Sequence, residues 1–204
     1  MPAGLLAHEM KALKDDDVKH LAAAGRRLHA GGMVPGTMGV AGIRLHSGAI
    51  AVSAEGSRLS DLDRTDIVLL DDKGRSVSGS QIATRDSWLL HAVLNARPEA
   101  GCVIRVHAPY TTVLSHRGRK FLERWNETLE HIDGIAFVPY YRPGTAGLAG
   151  AVAESLRENR VTLIEKQGAV VWGVDPDEAA DTAEMMEAAA RLIFLLASQN
   201  GRRQ

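Results

Sequence analysis

The chain is 204 residues long and 45% hydrophobic, enough for one domain with a sizeable core. Its 24 lysines and arginines against 25 aspartates and glutamates leave no charge excess, which sets nucleic acid and anionic membrane surfaces aside as partners. A single cysteine, Cys102, excludes an internal disulfide, and neither a basic leader nor an apolar run of about 18 residues marks a secretory signal or a membrane span, so the expected setting is soluble and cytoplasmic.

Apolar residues recur at helical spacing from Leu5 to Leu28, and Gly31-Gly32 ends that pattern. A glycine-rich turn, Gly32 to Gly39, leads into two short strands, Ala41 to Leu45 and Ala49 to Ser53. His46-Ser-Gly48 joins them as a hairpin. Ile67 to Leu70 reads as a strand closed by Asp71-Asp-Lys-Gly74, and Asp86 to Ala96 as a helix that Arg97-Pro98 breaks. Beyond the central strand come a helical stretch from Thr111 to Leu129, a strand at Ile135 to Val138 and a loop at Tyr140 to Thr145. A helix at Leu148 to Glu158, strands at Val161 to Ile164 and Ala169 to Trp172, and a final helix from Pro176 to Ala197 complete the chain. The apolar face of that last helix (Ala179, Ala183, Met186, Ala189, Leu192, Leu196) is expected to pack in the core or against another subunit. The order predicts a single domain over residues 1–204, with a mixed or antiparallel sheet and helices on both faces.

The central segment, Cys102-Val-Ile-Arg-Val-His-Ala-Pro109, is β-branched and stops at a proline, as a short buried strand does. Side chains alternate along a strand, so Arg105 and His107 fall on one face, about 6 to 7 Å apart, with Ile104 and Val106 on the other. Taken alone, this pair reads as a strand end in water or in a structural ion pair. Cys102 falls in the same strand and is expected to be a small core side chain.

Several segments, in order, resemble the class II aldolase/adducin family: Gly36-Thr-Met-Gly39, Ser53-Ala-Glu-Gly56, Asp66-Ile-Val, Ala96-Arg-Pro-Glu99, Val106-His-Ala-Pro109, Pro143-Gly-Thr145 and Gly168-Ala-Val-Val-Trp-Gly173. That family includes fuculose-phosphate aldolase, ribulose-phosphate 4-epimerase, decarboxylases, dehydratases and the non-enzymatic head of adducin. The resemblance implies a three-layer α/β/α fold with a central mixed, largely antiparallel sheet. It also implies a divalent metal, usually zinc, held by three histidines with a carboxylate nearby. Those four positions are Arg105, His107, Gln167 and Asp86 here, so one imidazole remains. Arginine has no lone pair to give a cation and glutamine is a poor zinc ligand. The expectation is therefore no tightly bound metal, with zinc or manganese on Asp86, His107 and Gln167 as the alternative.

The family's phosphate-binding positions fall on Val40, Glu55, Thr84 and Arg85, which argues against a sugar phosphate. The resulting expectation is a lyase (aldol cleavage, decarboxylation or dehydration) acting on a small or aromatic oxo or hydroxy acid. Asp86, Arg105 and His107 would carry the chemistry, and Arg85, Glu55, Tyr140 and Gln167 would bind a carboxylate substrate. A catalytically silent binding or structural member is the other expectation. Family members are usually cyclic tetramers, so a homotetramer is implied.

Overall fold

The computed structural model describes residues 13–77, 81–118 and 127–200. Seven strands form one sheet: β1 (Val40–Arg44), β2 (Ile50–Ser53), β3 (Ile67–Leu70), β4 (Cys102–Val106), β5 (Ile135–Val138), β6 (Val161–Ile164) and β7 (Gly168–Gly173). Their spatial order is β3-β2-β1-β4-β7-β6-β5, so the strand carrying Arg105 is the middle one. Every neighbouring pair is antiparallel except β5 with β6. Hairpins connect β1 to β2 and β6 to β7. The one parallel pair is bridged by a helix, as a parallel crossover requires.

The helices are α1 (Asp15–Ala30), α2 (Ser87–Ala96), α3 (Pro109–Ser115), α4 (Glu127–Glu130), α5 (Ala146–Ser155) and α6 (Pro176–Asn200). Alternation along β4 divides the core. Cys102, Ile104 and Val106 join one apolar cluster with α1, α3 and α6, whereas Val103 joins the other, with α2, α5 and Trp172. Both faces of the sheet are thus covered, and β4 is buried along its whole length. Burial also raises the Cys102 thiol far above its ordinary range and keeps it protonated, as a core side chain should be.

The helix boundaries refine the sequence reading for local reasons. Within the described residues α1 starts at Asp15, where Asp15, Asp16 and Asp17 complement the helix N-terminus and the Asp17 carboxylate accepts the Lys14 N–H; the stretch from Leu5 to residue 12 lies outside them. Pro109 ends β4's extension and, having no N–H to satisfy, occupies the first turn of α3. The expected helix from Thr111 to Leu129 is interrupted: α3 stops at Ser115, Gly118 adopts φ 62°, and residues 119–126 lie outside the described set. Thr145 caps α5 by accepting the Leu148 N–H, which moves that helix forward to Ala146.

On α6, Ala179, Ala183, Met186 and Ala189 are buried, but Leu192, Leu195 and Leu196 are 42–56% exposed. No described helix is long and apolar enough to cross a membrane.

Candidate active site

A helix start and a tight turn bring two polar side chains onto Arg105. In the β4 register Arg105 lies opposite Val40 on one neighbour and Val170 on the other, so its side chain leaves the centre of the sheet through apolar surroundings. Asp86 stands at the start of α2, its N–H held by the Thr84 hydroxyl at 3.4 Å. Gln167 sits in the tight β6–β7 turn, where Lys166 adopts the left-handed φ of 63° and Gly168 a φ of 85°. A side chain at Gly168 would stand 2.3 Å from the Val106 carbonyl. Only glycine therefore lets this turn close on the end of β4 and deliver Gln167 to Arg105.

The Arg105 guanidinium donates from Nη1 to Asp86 Oδ2 at 2.6 Å and from Nη2 to Gln167 Oε1 at 2.8 Å. The Gln167 amide, used at both ends, donates from Nε2 to the Tyr141 carbonyl. This network is buried: the Arg105 and Asp86 side chains are 3% and 8% exposed. Three polar atoms within it have no partner, namely Arg105 Nε, Asp86 Oδ1 and His107 Nδ1. Buried atoms of this kind cost free energy unless something binds them, which makes their cluster a candidate site.

His107 follows β4, its backbone N–H tied to the Met33 carbonyl at 2.8 Å. Burial, then the nearby Arg105 charge, push its imidazole down to about 4, with Asp86 and the Met38 backbone acting in the opposite direction. His107 is therefore neutral at pH 7. Because the folded value lies below the ordinary 6.5, the unfolded chain takes up this proton first. The stability contributed by His107 should be intact above about pH 6.5 and lost as pH falls through about 4, by about 3 kcal/mol. Urea unfolding at pH 7 and at pH 4.5 checks this, since His107→Gln should show a smaller difference between the two.

Arg105, His107 and Asp86 line a cavity of about 290 Å³. Val40, Glu55, Thr84 and Arg85, the positions assigned to phosphate binding by resemblance, line it as well. Glu55 and Arg85 form a pair at 3.3 Å. Tyr140 is not among the lining residues. It is 55% exposed and its N–H is held by Glu165 at 3.2 Å, and the loop reaches the cavity through Pro143 instead. Thr37, Met38 and Ser57 also line the cavity. Sequence reasoning did not single them out as site residues, although Thr37 and Met38 lie in a glycine turn it had marked.

The profile of a family described as Class II Aldolase and Adducin N-terminal domain matches residues 19–194. The chain belongs to the class II aldolase and adducin family. Among its relatives, a 3-oxo-tetronate 4-phosphate decarboxylase of Haemophilus influenzae is 27% identical over 86% of this chain and 85% of that protein. A methylthioribulose-1-phosphate dehydratase of Gluconacetobacter diazotrophicus is 30% identical over 92% and 94%. The crystal structure of L-fuculose-1-phosphate aldolase from Thermus thermophilus superposes with a TM-score of 0.78, covering 90% of this chain and 95% of that one at 20% identity, a likeness of fold.

Members of this family usually depend on zinc; of the positions that the resemblance assigns to the metal site, Asp86 and Gln167 meet here on the Arg105 guanidinium. Among the described residues no group of three or more His, Cys, Asp and Glu side chains is placed to hold a metal ion. Arg105 already binds Asp86 and Gln167 and brings its own positive charge to the point where a cation would need them. The donor set does not fit a divalent ion.

Proposed function

We propose that this chain is a class II aldolase-type lyase acting on a small oxo or hydroxy acid, with the Arg105 guanidinium taking the place of a divalent metal. One observation carries the reading: a buried arginine held by Asp86 and Gln167 beside a neutral histidine in one cavity. Aldol cleavage, decarboxylation and dehydration all pass through an enolate-like oxygen. A fixed, buried guanidinium stabilises that developing charge. In aldol cleavage His107 would take the proton of the β-hydroxyl as the carbon–carbon bond breaks. The bonding electron pair then moves to the oxygen facing Arg105, and the carbanion carbon is reprotonated before release. Asp86 orients the guanidinium. The relatives that carry out decarboxylation and dehydration support this class of chemistry. A homotetramer belongs to the same proposal, with the exposed Leu192, Leu195 and Leu196 stripe in support.

The near-complete burial of the Arg105–Asp86 pair favours a second reading, a silent member in which the pair only holds the pocket together. Screening oxo and hydroxy acids by thermal shift and then by turnover separates the two. The expected result is turnover that His107→Gln lowers by about 10²- to 10⁴-fold. Binding without turnover, or turnover indifferent to His107, would sink the catalytic reading.

A further inference from the structure

The cavity contains a second arginine–carboxylate pair, built differently from the first. Arg85 and Glu55 stand at the rim, their side chains 70% and 41% exposed. Glu55 is anchored there. One carboxylate oxygen accepts the Arg85 backbone N–H at 2.8 Å, and the Glu55 N–H donates to the Ile82 carbonyl at 2.8 Å. The Arg85 guanidinium only leans on the other oxygen, at 3.3 Å. An exposed pair of this kind is worth roughly 0–1 kcal/mol, so an incoming oxyanion can take the guanidinium at little cost.

Glu55 cannot follow. Its freed oxygen stays on the wall beside the bound anion, where it repels negative charge and offers an acceptor to a hydroxyl. A carboxylate with a hydroxyl on the neighbouring carbon suits both groups: the oxyanion pairs with Arg85 and the hydroxyl donates to Glu55. A phosphate monoester does not, because it carries about −1.5 to −2 charges near pH 7 and has almost no proton to donate.

Building on the reading that Arg105 receives the reacting oxo or hydroxy acid, we infer that Arg85 and Glu55 select the other end of the substrate, and that the substrate is a short hydroxylated dicarboxylic acid. Arg85 then faces one carboxylate, and the reacting end that carries the other lies at Arg105. Glu55, through the oxygen that the Arg85 guanidinium leaves, accepts from a substrate hydroxyl. The cavity of about 290 Å³ suits a short chain. Glu55 becomes the specificity residue that separates this chain from relatives whose named substrates end in phosphate.

Three kinds of probe test this by calorimetric titration of the intact protein: tartrate as each of its two enantiomers, glycerate without the second carboxylate, and 3-phosphoglycerate with a phosphate end. Tartrate in one enantiomer should bind at least tenfold more tightly than either of the others. Glu55→Ser should shift the ratio at least tenfold toward 3-phosphoglycerate, and Arg85→Met should bring tartrate down to the level of glycerate. Wild-type preference for 3-phosphoglycerate, or a ratio unmoved by Glu55→Ser, overturns the selection role. In that case the Arg105 reading still stands if His107→Gln weakens the binding that is seen. If none of the three probes binds, the inference and the reading beneath it both fail.

Discussion

Asp86→Ala should lower the unfolding free energy by about 3–5 kcal/mol, because it leaves the Arg105 guanidinium in the interior without its counter-charge. Arg105 is 3% exposed, so water cannot take over, and the neutral Gln167 amide supplies a dipole rather than a charge. Replacing both partners, Arg105→Met with Asp86→Leu, should recover most of that loss, since an apolar pair of similar volume asks nothing of its surroundings. Urea unfolding at pH 7 of Arg105→Met, of Asp86→Leu and of their double variant gives the coupling between them. A cost below about 1 kcal/mol for Asp86→Ala would mean that the pair is solvated, and the picture of a fixed internal cation would fall. The same cycle bears on function. The unpartnered Arg105 Nε and Asp86 Oδ1 are groups whose burial costs roughly 1–3 kcal/mol each, so this network is not arranged for stability alone.

The strands were legible because they are short β-branched runs: Ile67 to Leu70, Ile135 to Val138 and Val161 to Ile164 fall where the pattern puts them. Helix ends were less so, because they depend on single capping contacts such as Thr145 on Leu148, and a periodic pattern does not contain these. Alternation along β4 was enough to separate Arg105 from Ile104 and Val106. It could not name the partners of Arg105, which lie 19 residues earlier and 62 residues later. Only the family resemblance brought Asp86 and Gln167 to the same place. Pro143, Ser57 and Thr37 carry no chemical signature in sequence and reach the cavity through turns whose course is a tertiary matter. Tyr140 failed to reach it because Glu165 fixes its backbone with the side chain exposed.

Arg105→His combined with Gln167→His should turn this pocket into a zinc site. The two changes put imidazoles beside His107, whose Nδ1 has no partner, and they release the Asp86 carboxylate from its guanidinium. Three neutral nitrogen donors with a carboxylate at hand form a donor set that zinc accepts, whereas the native set offers one imidazole beside a permanent positive charge. After exposure to zinc and dialysis, the double variant should retain about one metal per chain, and adding His107→Ala should abolish that retention. The native protein should retain far less than one equivalent. A native protein that holds one zinc or manganese, lost on His107→Ala, would mean that Asp86, His107 and Gln167 suffice after Arg105 swings aside. That outcome would replace the guanidinium mechanism with a metal-dependent one. The two cases also differ with pH. A metal held by His107 is lost on acidification as protons compete for the imidazole, whereas the charge on Arg105 persists through the same range.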